Sequence, residues 1–182
     1  MSKNKKIILS SFFLALHLVL SRFLSIETEI LVISFGFVPT MLSAIFLGPK
    51  YSTLIAALAD FLGAMLFPFG AYFPGFTLSS AISGLIYGIL LYEPESCKRS
   101  SKNMFIRLIV SSGLSILLVN TLLNSLWLNI MYGKAYIALL YSRILKQLIM
   151  FPIQVLTVYG LYTFLKPIVY KYLIEGDLHD KA

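Results

Sequence analysis

Long apolar runs, separated by short clusters of glycine, proline or charge, dominate the pattern along this chain. Six of them approach the roughly 17–25 residues needed to cross a hydrocarbon core. They lie at about 7–24, 30–47, 52–67, 76–92, 105–131 and 135–165. The fifth is long enough to tilt. The sixth exceeds one span; Pro152 is placed to kink it, and its end is expected to project beyond the bilayer. The pattern predicts an all-α integral membrane protein with six transmembrane helices in one bundle. These form a single membrane-embedded domain over residues 1–182, with no appended soluble domain expected. Lys3, Lys5 and Lys6 precede the first run like the basic region of a signal peptide. That run is too long for a signal core and no Ala-x-Ala site follows it, so an uncleaved first helix is expected.

Composition sharpens this reading. Hydrophobic residues make up 58% of the chain and charged residues 13%, with a mean hydropathy of +0.85. An ordinary soluble domain carries roughly a quarter charged residues and must show a polar skin to water. Intrinsic disorder needs the opposite balance. The lone Cys97 allows no disulfide framework within the chain. Fifteen Lys and Arg against eight Asp and Glu give +7. The excess points to membrane lipid and a cytoplasmic face, not to nucleic acid.

The charges alternate between the two sides of a six-span arrangement. Lys3, Lys5 and Lys6, then Lys50, then Lys98, Arg99, Lys102 and Arg107, then Lys166, Lys171 and Lys181 all fall on one side. The other side holds Glu27, Glu29 and Lys134, with Arg22, Arg143 and Lys146 at helix ends. The positive-inside rule therefore predicts that both termini are cytoplasmic. Cys97 then sits in a reducing cytoplasmic loop.

Ionisable groups inside the membrane zone are costly. Here they are His17, Arg22, Asp60, Arg143 and Lys146. Snorkelling to the outer interface is one reading of Arg22. At helical spacing, Arg143, Lys146, Gln147 and Gln154 fall within about 100° of one another. Asn120, Asn124 and Trp127 follow i, i+4, i+7 spacing on the preceding span, and Asn129, Tyr132 and Tyr136 continue outward. Interhelical hydrogen bonding is one reading of such stripes. A ligand cavity between them is the other, and two facing stripes favour it. Its chemistry would be specific. Arg and Lys suit carboxylates or phosphates, Trp127 and nearby tyrosines can stack on a flat ring, and Asn can meet the edge of a heterocycle.

Two outer loops are placed to cover such a site: Ser25–Glu29 and the Phe67–Gly75 stretch FPFGAYFPG, which contains Tyr72. Asp60, set among small residues, reads first as a buried polar partner of another helix, with substrate contact as the alternative; His17, without a second ligand at metal spacing, reads as a packing or hydrogen-bonding group. No HExxH, GxSxG or P-loop is present. Metal binding, catalysis and ATP hydrolysis by this chain are not expected.

Four blocks carry a family resemblance: FGFVPTMLSAIFLGPKYSTLIAALADFLGAM (Phe35–Met65), YFPGFTLSSAISGLIYG (Tyr72–Gly88), NSLWLNIMYGKAY (Asn124–Tyr136) and SRILKQLIMFPIQ (Ser142–Gln154). Over nearly its whole length, the chain resembles the substrate-binding S components of energy-coupling factor (ECF) vitamin transporters. The last two blocks are similar to the folate-specific members. The resemblance implies a six-helix bundle that binds folate near the outer surface, beside a transmembrane coupling subunit and two ATPase subunits. ATP is then used by those partners only, and this chain needs no cofactor. An S component for another anionic or heterocyclic vitamin is the alternative.

The expected substrate contacts are Arg22, Tyr72, Asn120, Asn124, Trp127, Tyr132, Arg143, Lys146 and Gln147. The coupling-subunit contact implied by the resemblance is an Ala-xxx-Ala pattern in the first helix, matched here by Ser11 and Ala15. Arg22 falls about 20° from Ser11 on a regular helix, which sets the two assignments against each other.

Overall fold

Proline and glycine decide where the early helices start and stop. Pro49 and Pro74 each occupy the first turn of a helix, where a missing N–H costs nothing. Gly48 ends one helix and opens the next at φ 85, a conformation that disfavours a side chain. In the computed structural model, residues 3–23, 25–27, 32–68, 71–94, 101–133 and 136–169 are described. Glu29, Cys97, Lys98, Arg99, Lys134, Lys171 and Lys181, used above in reading the charge pattern, lie outside the described residues.

The chain order is α1 (Lys3–Arg22), β1 (Ser25–Glu27), β2 (Val32–Ser34), α2 (Phe37–Leu47), α3 (Pro49–Leu66), α4 (Pro74–Leu91), α5 (Ser101–Ser115), a π-helical segment (Ile116–Leu123), α6 (Asn124–Tyr132) and α7 (Tyr136–Val169). Apart from the β1–β2 ribbon, which pairs antiparallel with Ser25 opposite Ser34, the fold is helical. α5, the π segment and α6 run on as one rod, so the described residues contain six helical rods.

Of the six spans expected from the sequence, four correspond to helices long and apolar enough to cross a membrane and two are of another kind. The stretches Lys3–Arg22, Pro74–Leu91, Asn103–Tyr132 and Arg143–Val169 are long and apolar enough to cross a membrane. The second expected span is not one helix. Val32–Ser34 is strand, and α2 has only 11 residues. At about 1.5 Å per residue it covers roughly half of a hydrocarbon core. It is instead enclosed by protein: Met41, Ala44 and Ile45 are fully buried. α3 has 18 residues, but Lys50 and Asp60 dilute its apolar character. α7 runs unbroken for 34 residues through Pro152 and Pro167.

The core gathers around α2, where Met41 and Ile45 meet Leu91, Met104, Leu108, Val158 and Tyr162. α3 and α4 approach to backbone contact. A Cβ at Gly88 would stand 2.3 Å from Pro49 Cα, and one at Gly84 would stand 2.6 Å from the Ser52 carbonyl. Ser52 Oγ seals the crossing by donating to the Gly84 carbonyl at 2.8 Å. This small-residue interface fixes α3 and α4 as one wall of the cavity described next.

Candidate functional site

Helix ends from both halves of the chain converge on a cavity of about 590 Å³. This lies within the usual size of a small-molecule site. α1, β2, α2, α3, α4, the π segment, α6 and α7 all contribute lining residues. Of the expected substrate contacts, Arg22, Tyr72, Asn120, Asn124, Tyr132, Arg143, Lys146 and Gln147 line it.

The stripe on α7 holds as expected. Arg143, Lys146, Gln147 and Gln154 all face the cavity, joined by Met150. The period of about 3.6 residues is kept along this helix, so positions three, four, seven and eleven apart stay on one face. Gln154 anchors the floor, donating to Tyr87 Oη at 2.9 Å. Its Nε2 also approaches Met41 Sδ at 3.2 Å.

The opposite wall departs from regular spacing. Between Ile116 and Leu123 the helix is π-helical, and the Asn124 N–H reaches back five residues to the Val119 carbonyl. A regular turn would have taken it to Asn120. Instead, the Asn120 carbonyl accepts from Arg143 Nη1 at 3.0 Å. π turns occur often at functional sites, and this one supplies a main-chain acceptor that holds a cavity cation.

The same segment corrects one expectation. Trp127 does not line the cavity. A turn of i→i+5 pattern advances less per residue, which carries Trp127 around the helix away from Asn120. Trp127 stands behind the wall. Its indole N–H donates to Ser79 Oγ at 2.9 Å, and its ring lies 5.6 Å from that of Phe73 at 47°. Ser79 and Phe73 are the lining residues there. Trp127 thus shapes the site through them. Asn129 also lies off the lining, while Tyr136 reaches back to the Leu122 carbonyl at 3.4 Å.

Two buried polar atoms on the cavity wall have no hydrogen-bond partner among the described residues: Arg143 Nε and Asn124 Oδ1. Buried polar groups are nearly always paired, so such orphans mark where a ligand's own groups belong.

Arg22 is the last residue of α1, and its guanidinium crosses to α3. A Cβ on Gly63 would come within 2.7 Å of Arg22 Nε. The length of the side chain removes the conflict with Ser11 and Ala15. Both of those are exposed on the outward face of α1, beside Phe12 and Val19, while Arg22 reaches the cavity from the helix end.

Residues of the second expected covering loop reach the site: Pro68, Ala71, Tyr72 and Phe73 from the α3–α4 connection line the cavity, as does Ser34 of β2, which lies in neither loop. Tyr72 packs edge-on to Phe61 with ring centres 5.9 Å apart, and Phe67 packs on Phe23 at 5.6 Å. Thr28, Glu29, Phe69 and Gly70 of these loops lie outside the described residues.

His17 and Asp60, the first read as a packing group and the second with substrate contact only as an alternative, both line the cavity. The only signal available was an ionisable group inside an apolar helix.

A profile of the family described as "ECF transporter, substrate-specific component" matches residues 5–162. The chain is 40% identical over 160 residues to the folate transporter FolT of Clostridium novyi (strain NT), covering 88% of this chain and 89% of that protein. It is 41% identical to the folate transporter FolT of Leuconostoc mesenteroides, covering 84% and 81%. Its fold matches a crystal structure of FolT bound with folic acid with a TM-score of 0.76 at 39% identity, over 86% of this chain and 92% of that one. A bacterial ECF transporter S component shares the fold at a TM-score of 0.63 and 24% identity, over 91% and 99%.

Proposed function

Because the chain belongs to the family of substrate-specific components of ECF transporters, we propose that it captures folate in this cavity for uptake driven by partner subunits. The observation that carries this reading is the wall where Arg143, with its unpaired Nε, stands one turn from Lys146. A guanidinium suits a carboxylate through two hydrogen bonds, and an ammonium adds a point charge. Folate carries two carboxylates on its glutamate tail and a flat pteridine at the other end. The unpaired Asn124 Oδ1 and the aromatic Phe73, Phe76 and Tyr72 suit the ring portion. The two folate transporters at 40% and 41% identity support the same substrate.

In this reading both termini are cytoplasmic, as the distribution of Lys and Arg suggests, and the cavity opens outward where α1, α6 and α3 end. The family is one of transporters, and the chain binds its ligand unchanged. ATP is spent by two ATPase subunits through a transmembrane coupling subunit, and no cofactor resides here. The exposed Ser11 and Ala15 on α1 give the coupling subunit a surface that allows close helix approach.

The test is calorimetry on the purified chain in detergent, without nucleotide. Folate should bind with a stoichiometry of roughly one, and saturating riboflavin or thiamine should not compete. Tight riboflavin binding without folate binding would reject the reading.

A further inference from the structure

Two interruptions of regular helix stand side by side at the level of the cavity. Between Ile116 and Leu123 the chain is π-helical, and the Asn124 N–H bonds the Val119 carbonyl. Pro152 lies inside α7. Proline has no N–H, so the Leu148 carbonyl loses its regular helical donor there, and the ring crowds the preceding turn. Phe151 faces Gly113 of α5, just before the π segment: a Cβ on Gly113 would stand 3.9 Å from the Phe151 ring. Prolines and π turns are the usual places where helices bend. The neighbouring pair therefore marks one line of weakness across two helices.

Packing changes across that line. On one side lie α6 and the first part of α7, residues 124–132 and 136–151. Among the described side chains of these segments, Ser125, Leu128 and Gln147 are the buried ones. Past Pro152, Gln154, Val155, Val158 and Tyr162 are all buried, and the last three belong to the core around α2. Gln154 is further held by its bond to Tyr87 Oη at 2.9 Å. The segments before Pro152 reach the α4 wall through Trp127. Its indole N–H donates to Ser79 Oγ at 2.9 Å, and Gly75 leaves room for the ring, since a Cβ there would stand 2.6 Å from Trp127 Cδ2. The same segments carry Asn124, Arg143, Lys146 and Gln147 of the cavity lining.

A unit with few buried side chains, bounded by two weak points in its backbone ladders, opens before the rest of a fold. We propose that α6 and α7 up to Phe151 form a hinged flap. It swings about the π segment and Pro152, with the Trp127–Ser79 contact as its latch. Opening carries the Arg143 wall away from α1, α3 and α4 and admits the ligand. A ligand that spans both walls then holds the flap shut, because it binds the closed state better than the open one. The identity of that ligand rests on the folate reading above; the hinge does not.

The experiment measures distances between spin labels by pulsed electron resonance on the full chain in detergent, with the native thiol removed by Cys97→Ser. One pair, Leu78→Cys with Tyr141→Cys, spans from α4 to the flap. The other, Ile130→Cys with Leu148→Cys, lies within the flap. All four side chains are exposed, and none lines the cavity. Without folate the spanning pair should give a broad distribution with a population at longer distance, and folate should collapse it to the shorter one. The internal pair should not change. Pro152→Ala restores a helical N–H and should remove the longer population. Trp127→Ala releases the latch and should enlarge it, weakening folate in step with the loss of the closed fraction. A spanning distribution as narrow as the internal one and unmoved by folate would overturn the proposal, as would a broad one indifferent to both variants. Failure of the Cys97→Ser chain to bind folate in calorimetry would overturn the substrate reading instead, while the folate-free distributions still decide the flap.

Discussion

Arg143 Nη1 donates to the main-chain carbonyl of Asn120 at 3.0 Å, across the cavity seam between α7 and the π segment. The π turn takes the Asn124 N–H to the Val119 carbonyl and so leaves the Asn120 carbonyl without its regular helical donor. One distorted turn thus sets where the main cationic group of the site is held. It also leaves the Nε edge of Arg143 for a ligand.

Arg143→Ala should weaken folate binding by about 1.5–3 kcal/mol, the usual range for a charge-assisted hydrogen bond. Pteroate, which lacks the glutamate tail, should be much less affected. Arg143→Lys should not restore affinity, because an ammonium cannot bond the Asn120 carbonyl and a carboxylate as a fork does. Equal losses for folate and pteroate, measured by calorimetry, would remove Arg143 from the tail site.

Trp127→Phe keeps an aromatic ring beside Phe73 but deletes the N–H donated to Ser79. The expected effect is a stability loss of about 0.5–1.5 kcal/mol, one hydrogen bond's net worth. Folate affinity should fall much less than in Trp127→Ala, which also removes the packing behind Phe73. Thermal unfolding in detergent, read beside folate titration, separates the two variants.

Gly84→Ala and Gly88→Ala should both destabilise the fold, Gly88→Ala more. Each added methyl meets the backbone of α3, at Ser52 and at Pro49 respectively, with no flexible side chain to yield. Overpacking of this kind costs about 1–3 kcal/mol and occasionally more. Gly160→Ala is the control, because a Cβ there meets nothing within 4 Å. Its thermal midpoint should hold or rise, since alanine is the better helix former.

Tyr162→Phe tests the end of the molecule away from the cavity. The fully buried Tyr162 donates to Glu93 Oε2 at 2.6 Å, while Lys166 bonds Glu93 Oε1 at 2.9 Å and Tyr162 Oη at 2.7 Å. Removing the hydroxyl takes a donor from Glu93, at a cost of about 1–3 kcal/mol in stability. Folate affinity should not change, as none of these three residues lines the cavity. A matching drop in affinity would show that this clasp is coupled to the site.

Ala15→Trp should block assembly or transport while leaving folate binding intact, because Ala15 is exposed on α1 and lies outside the cavity lining. Co-purification with the partner subunits, alongside calorimetry, reads both properties. Loss of folate binding with normal assembly would place this face of α1 in the ligand site.

The amino-acid sequence by itself determined the class of this protein, the helical character of its long apolar runs and the polar stripe on α7. These depend on composition and on a period of 3.6 residues, both local properties. It also brought Arg22, Asn120, Asn124 and Lys146 into one candidate site. Tertiary structure decided the rest. The run from residue 30 to 47 is apolar enough on average to pass for one span, and only Ser34, Gly36 and Pro39 hint at the break between the strand Val32–Ser34 and the buried helix Phe37–Leu47. Trp127 left the cavity because a π turn altered the angular register, which an assumed α-helix hides. His17 gained its hydrogen-bond partner Thr40, 23 residues away in the chain, only in the folded bundle. A polar side chain's role is set by the partner that folding places beside it, and pattern along a single helix carries no record of that partner.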